Sequence, residues 1–280
     1  MGTPRRRQHP DLSHQPGHPR TDPRSTHLMS KPVRNVSNFD QTYIDWMKRE
    51  AETGTPMVPA ATVVLMRDAP NGDGDGVEVL MLRRNAAVEF AGGMWVFPGG
   101  RIDPEDHDGT TDLLGAARNA SVRESQEEAA QLVDVASLVW FAHWCPPPNA
   151  PKRFATFFFA CRSLGDEVTI DGSEIHEHEW MTPAAALRRQ REQEVQLAPP
   201  TWITLHYLTR AATVADALAA FEAHEPRFYE TRMMKDDENM HFVWQGDAAY
   251  PNLPPDTAGP RHRITVGVNG WVLDDSAVPF

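Results

Sequence analysis

The stretch RESQEEAAQL, Arg123–Leu132, sets three glutamates and an arginine within six residues of a segment rich in helix formers. Positions i, i+3 and i+4 share one face of a helix, so Glu124, Glu127 and Glu128 come within reach of one another. Like charges at that spacing oppose helix formation by about 0.2–0.5 kcal/mol per pair. Carboxylate oxygens are also the preferred ligands of Mg2+ and Mn2+, and Mg2+ commonly binds a few carboxylates together with substrate phosphates. The triplet reads either as a solvated acidic face or as a divalent-cation site with Arg123 orienting one carboxylate through a bidentate contact. Val122, Ala129 and Val133 fall roughly opposite and form the expected core-facing stripe.

The elements around the triplet follow from pattern. PAATVVLMRD (59–68) and VEVLMLRRN (77–85), joined across the turn cluster NGDGDG, read as a β-hairpin. The DGDG run lacks the spaced ligands and closing glutamate of a calcium loop and reads as a surface turn. WVFPGGRIDPED (95–106) is a short strand entering a Pro-Gly-Gly turn. Thr110 or Thr111 caps a helix of about 20 residues that runs to Leu132. SLVWFAHW (137–144), RFATFFFACR (153–162) and EIHEHEWM (174–181) are strands. Thr182 caps a helix with Pro183 in its first position. WITLHYLTRA and TVADALAAFEAH are helical, and RITVGVNGWVL is a hairpin turning at Asn269-Gly270. A short helix is expected after Asn38. The order β-β-β-α-β-β-β-α predicts an α/β domain with a mixed sheet.

Composition sets outer limits. The chain has 280 residues, 40% of them hydrophobic, and eight tryptophans, enough for a proper core. No run approaches the roughly 18 apolar residues of a membrane span, and no apolar secretory segment opens the chain. Two cysteines, Cys145 and Cys161, give neither a disulfide framework nor zinc spacing and read as core thiols without a His/Asp partner. The expectation is a soluble, cytoplasmic protein. Of the net charge of −12, residues 1–39 contribute +5 and the remainder −17. A body so acidic argues against nucleic-acid binding, which needs cationic contacts to phosphate. The Pro-, Arg- and His-rich opening cannot bury enough surface to order itself.

FPGG followed by REsQEE resembles the Nudix hydrolase signature, G-x5-E-x7-R-E-U-x-E-E-x-G-U with U aliphatic. Gly100, Arg123, Glu124, Glu127 and Glu128 match it directly. Three departures stand out. About nine residues are inserted between Gly100 and Arg123. Counting back eight from Arg123 lands on Gly115 where a glutamate is expected, leaving Asp103, Glu105 or Asp106 as substitutes. Ala130 replaces the late glycine, and Ser125 and Gln131 replace aliphatics. EVLMLRRN, FAGGMWVFPGGRIDPED, RFATFFFAC, the spacing of Glu174, Glu177 and Trp180, LAPPTW and GDAAYP further resemble the branch with an enlarged box that includes the peroxisomal coenzyme A diphosphatases. The C-terminal AVPF is not a peroxisomal address.

The resemblance implies a Nudix-type α/β/α sandwich at residues 38–195. A disordered basic tail (1–37) precedes it, and a helical and hairpin extension (196–280) packs on it. It implies a hydrolase that cleaves the diphosphate linkage of a small nucleoside diphosphate-linked compound, with Glu124, Glu127 and Glu128 holding Mg2+ or Mn2+. Coenzyme A or its esters are weakly favoured as substrate. ADP-ribose, NADH or another dinucleotide is the main alternative, and a catalytically silent ligand-binding regulator is another. Arg123 would orient the carboxylates, and the Gly99-Gly100 turn would let backbone approach the site. Glu174 or Glu177 would serve as base or extra ligand, the two having opposite strand parity. Arg83, Arg84, Lys152 and Arg153 are candidates for phosphate contacts. His176 and His178 read as surface residues and Phe157–Phe159 as core. Neither nucleic acid nor membrane is an expected partner, and a homodimer is compatible with the reading.

Overall fold

The computed structural model describes residues 56–70, 76–87, 91–165 and 167–278. The basic opening segment and the helix expected after Asn38 lie outside the described residues. Strand β1 (Met57–Asp68) is the centre of an eight-stranded mixed sheet. Its seven consecutive buried residues, Ala60–Met66, show why the segment is apolar without alternation: a strand covered on both faces needs no polar side. It runs antiparallel to β2 (Val77–Arg84) and parallel to β6 (Arg153–Arg162), from Met57 opposite Arg153 to Met66 opposite Arg162. The expected 59–68 and 77–85 hairpin is therefore present.

The segment expected as one strand before the Pro-Gly-Gly turn forms two. β3 (Trp95–Val96) pairs with β2, and β4 (Gly99–Arg101) crosses back to β1. Pro98 between them donates no N–H and breaks the ladder; its carbonyl instead accepts from Thr62 Oγ1 at 2.7 Å. β5 (Val139–Cys145) and β7 (Ile175–Met181) complete the expected strands, pairing with β6 and β2 respectively.

Helix α1 (Leu113–Ala129) carries the acidic triplet across β1 and β4. Its cap is Asp112, whose carboxylate accepts from the Gly115 N–H at 2.6 Å, rather than Thr110 or Thr111. Thr110 instead sits against Gly115, where any Cβ would overlap its hydroxyl. Of the expected core-facing residues Val122, Ala129 and Val133, Ala129 is buried and the two valines are half-exposed. Leu114, Ala116, Ala117, Ala120, Ser121, Ser125, Glu128 and Ala129 are the buried positions of α1. Both buried serines bond back to the preceding turn, Ser121 Oγ to Ala117 O at 3.0 Å and Ser125 Oγ to Ser121 O at 2.8 Å. That back-bonding satisfies the hydroxyls without an aliphatic side chain. An inner face of alanines and serines lets α1 lie close to the sheet.

On the other face, α2 (Pro183–Arg191), α3 (Pro199–Leu208) and α4 (Val214–Glu222) pack against Val64, Met66, Phe158 and Ala160. Phe141 stacks on Phe221 of α4 with ring centroids 4.1 Å apart. Phe157 and Phe159, of opposite parity, are buried on the α1 side, with the Arg118 guanidinium over Phe159. The result is an α/β/α arrangement with a mixed sheet.

After α4 the structure adds three short strands not anticipated, ahead of the expected final hairpin. β8 (Arg227–Glu230) joins the main sheet beside β5. β9 (Arg232–Lys235), β10 (Met240–Val243), β11 (Arg263–Gly267) and β12 (Gly270–Asp274) form a second antiparallel sheet. The final hairpin turns at Val268-Asn269, one residue earlier than expected, because Gly267 pairs with Gly270. The buried Arg263–Asp247 pair fastens the GDAAYP segment to this sheet, its Nε bonding Asp247 Oδ2 at 2.6 Å.

Helix α1 ends three residues before the expected Leu132. Ala130 takes a left-handed conformation, φ 52° and ψ 30°, while its N–H bonds Gln126 O at 3.0 Å. An L side chain in that region costs about 1 kcal/mol, which glycine avoids. Gln131 turns inward and ties the helix end to the segment between β6 and β7, its Nε2 donating to Glu167 O at 2.6 Å. Ala130→Gly is expected to stabilise the fold by about 1 kcal/mol. Urea denaturation midpoints of the two proteins at unchanged slope check it.

Candidate active site

The site is organised by Arg123, near the middle of α1. Its Nε and Nη2 make a two-pronged contact with Asp106, at 3.0 Å to Oδ1 and 2.9 Å to Oδ2. Nη1 reaches Glu124 and Glu127 at 2.9 Å each, and Nη2 also donates to Arg101 O at 3.0 Å. One guanidinium thus ties the helix to β4 and to the 3-10 turn Pro104–His107. Among the three substitutes for the missing glutamate, Asp106 is the one that meets Arg123 in a buried contact. Asp103 stands 3.9 Å off, and Glu105 is exposed. The sequence did hold a signal for this: counting forward from Gly100, the G-x5 spacing lands on Asp106. The extra residues lie between Asp106 and Arg123, so counting backward from the arginine misses it.

Burial alone would raise the Asp106 carboxyl, yet bonds from Arg123 and from the Asp103 N–H hold it below the usual carboxylate range. The three glutamates have unequal settings. Glu128 is 5% exposed, and its Oε2 accepts the Gly99 N–H at 2.9 Å. Glu124 lies against Gly100, where a Cβ would collide with its carboxylate. Here glycine is required by close approach. Gly99 is equally confined, since a Cβ there would stand 2.5 Å from Ala61 O. Glu127 is the exposed member, with 58% of its side chain open to solvent. Burial raises both Glu124 and Glu128. Glu128 is pushed up to about 8 by burial, with the Gly99 N–H opposing and the Glu124 charge adding to the rise.

Arg84, the last residue of β2, bridges Glu128 and Glu174, with Nη2 3.0 Å from Glu174 Oε2 and Nη1 3.5 Å from Glu128 Oε1. These groups face a cleft of about 1130 Å3. Glu124, Glu127 and Glu128 line one part of it, and Phe97, Trp144 and Phe158 another. Arg83 and Glu177 do not line it; they pair with each other at 3.1 Å, each about half exposed. A register shift between Arg83 and Arg84 accompanies this division. Of the two carboxylates expected as base or extra ligand, Glu174 is the one brought to the site.

His176 and His178 are exposed on β7. Lys152 and Arg153 both line the cleft, and Arg153 is largely buried, donating to Pro146 O at 3.1 Å from Nη2. Cys145 does have a histidine neighbour, contrary to expectation: His143 Nδ1 lies 3.4 Å from its Sγ. Full burial pushes His143 down to about 3, so the ring is neutral and supplies no charge to hold a thiolate. Cys161 is pushed up to about 12 by burial, which suits a core thiol.

Among the described residues, no three His, Cys, Asp or Glu side chains form a ready-made cage. Glu124 and Glu127 share Arg123 Nη1, and Glu128 is tied to Gly99 and Arg84. Yet Asp106, Glu124, Glu127, Glu128 and Glu174 are touched by two guanidinium groups, Arg123 and Arg84. A cluster of all-oxygen donors short of positive charge, drawn close to the backbone at Gly99 and Gly100, fits a hard cation.

The chain is similar to known proteins in sequence and in fold. The NUDIX domain model matches residues 57–202. A curated relative from Rhodococcus erythropolis, described as the uncharacterized Nudix hydrolase orf19, is 27% identical over 130 residues. The match covers 46% of this chain and 64% of the relative, just under two thirds of its length. Among solved structures, the NUDIX hydrolase from Alicyclobacillus acidocaldarius superposes with a TM-score of 0.53 at 24% identity, over 59% of this chain and 96% of that one. That likeness speaks for the fold.

The Asp106–Arg123 contact carries a stability consequence. Removing one partner of a buried pair costs about 3–5 kcal/mol; with Arg123 partly exposed, about 2 kcal/mol is expected for Asp106→Ala at pH 7. The folded-state carboxyl lies below its unfolded value, so its contribution is complete above about pH 4 and vanishes as pH falls through the lower folded value. Chemical denaturation at pH 7 and near pH 2.5 should show the difference between the two proteins shrinking in acid.

Proposed function

The chain belongs to the NUDIX domain family, and from that premise we propose that it hydrolyses the diphosphate linkage of a nucleoside diphosphate-linked compound by attack of water on phosphorus. One observation carries the reading: Glu124, Glu127 and Glu128 line a cleft of about 1130 Å3 whose remaining wall is largely apolar. That volume exceeds the roughly 300–1,000 Å3 of ordinary small-molecule pockets and suits an extended substrate.

Mg2+ or Mn2+ held by Glu124, Glu127 and Glu128 would neutralise phosphate charge and lower the pKa of a bound water. The protein's own residues do the remaining work. Arg123 fixes Glu124 and Glu127 while its other edge is taken by Asp106, so the helix face is held in one orientation. The Gly99 N–H fixes Glu128 Oε2. Glu174 lies at the cleft with one carboxylate oxygen on Arg84 and is the candidate to accept a proton from water. Arg84 is the candidate to meet a phosphate oxygen; Arg83, turned toward Glu177, is not. Phe97, Trp144 and Phe158 give the non-phosphate part of the substrate a water-poor wall. Coenzyme A or its esters, with a long arm beyond the diphosphate, are the favoured substrates within this reading.

Glu127→Gln and Glu128→Gln are each expected to lower turnover by about 100-fold or more, since several kcal/mol of transition-state charge stabilisation depend on these ligands. The check is a hydrolysis screen over coenzyme A esters, ADP-ribose, NADH and dinucleoside polyphosphates in Mg2+ and Mn2+. Thermal melts confirm that the variants fold. Near-normal turnover in both variants would remove the metal-site reading.

A further inference from the structure

Arg84 is held unevenly. Its backbone is pinned by its N–H to Met94 O and by the Gly93 N–H to its carbonyl, both at 3.0 Å. Its guanidinium then spans two carboxylates that differ in how firmly they are placed. Glu174 sits where the chain is stapled twice. The Asp171 carboxylate accepts from the N–H groups of Ser173, Glu174 and Ile175 at 3.1, 2.8 and 2.9 Å. The Asn85 N–H donates to Glu174 O at 2.7 Å. The Arg84–Glu174 contact is 3.0 Å, whereas Arg84–Glu128 is 3.5 Å, the outer limit of a hydrogen bond. Glu128 meanwhile has a better partner in the Gly99 N–H. Among the described residues, Arg84 Nε is buried with no hydrogen-bond partner. A buried donor left unmade is costly, which marks this arrangement as one the side chain can leave with gain.

We propose that Arg84 is an internal stand-in cation: it shields Glu128 until a divalent ion arrives, then exchanges that carboxylate for substrate diphosphate while Glu174 keeps hold of it. The inference rests on the metal-dependent reading above and adds a coupling between the two ligands. Release from Glu128 frees Nη1, and Nη1 together with the second N–H of Nη2 forms the guanidinium edge that binds phosphate oxygens as a two-pronged fork. Arg84 lines the cleft, so the exchange needs no large movement of the chain. Metal and diphosphate then strengthen each other's binding, because each removes the competitor of the other, and linkage makes that effect reciprocal. Glu174 is the positioning residue of the device.

The test is calorimetric titration of the full chain with Mn2+, alone and with methylenediphosphonate, a diphosphate that cannot be hydrolysed. Arg84→Met is expected to bind Mn2+ alone about 5-fold more tightly than wild type and to lose about 10-fold of the tightening that the diphosphonate confers. A residue with a merely structural role would weaken Mn2+ binding when removed. Arg84→Lys keeps the charge but not the fork, and should retain wild-type Mn2+ affinity with most of the coupling gone. Equal or weaker Mn2+ binding by Arg84→Met, or full coupling in Arg84→Lys, overturns the exchange while leaving the metal-dependent reading intact. Wild-type protein that binds no Mn2+ at millimolar concentration removes both.

Discussion

The site depends on a single guanidinium shared among a turn, a strand and a helix. Arg123 reaches Asp106, Glu124, Glu127 and the Arg101 carbonyl at once. Only arginine offers a rigid fork of five donors that can do so; a lysine ammonium could satisfy one or two of these partners and would leave the others crowded. Because Asp106 is buried and fixed by the Asp103 N–H, it presents a stationary anchor rather than a mobile counter-ion. The helix is thereby held at one rotation about its axis, and the two outer glutamates inherit their positions from it.

The third glutamate is placed by packing. With alanines and serines on its inner face, α1 lies close enough to β4 for Glu128 to reach the Gly99 N–H. Larger apolar side chains there would bury more surface but lift the helix away from the turn. Gly99 and Gly100 solve the same problem from the other side, since neither position has space for a Cβ. The fold thus gives up hydrophobic burial to bring carboxylates and backbone together. It then carries the electrostatic cost of Glu124 and Glu128 at close quarters, both of which burial raises. Such a cost at one spot, with local rules obeyed elsewhere, is what a functional site looks like in energetic terms.

Much of this was legible in the residues, for identifiable reasons. The central strands were readable because runs such as VVLM and FFFA leave no polar face, and the spacing of Glu124, Glu127 and Glu128 was readable because helix geometry is fixed. Helix limits were less so: Leu132 looks like a good terminus by composition, whereas the end is set by the backbone conformation at Ala130. Val122 and Val133 read as core because they are apolar, but the close helix–sheet approach selects small side chains instead. Asp106 was obscured by the direction of counting. The short strands β8–β10 escaped because four-residue runs such as RFYE and RMMK carry too little periodicity to stand out. Their placement comes from tertiary pairing.

Those late strands also shape the cleft. Thr231 and Phe242 line the cleft together with Pro199 and Pro200 at the start of α3. Thr231 and Phe242 lie beyond residue 202, where the family match stops. Trp144 is held by a stack on Tyr229 of β8, with ring centroids 3.7 Å apart, and meets Trp244 edge-on. The acidic end of the cleft is therefore built by elements inside the matched span, while part of the apolar wall is contributed or braced by elements outside it. On the proposed function, the carboxylate end would set what bond is broken and the wall what the diphosphate is attached to, and Thr231 and Phe242 put part of that wall beyond the matched span.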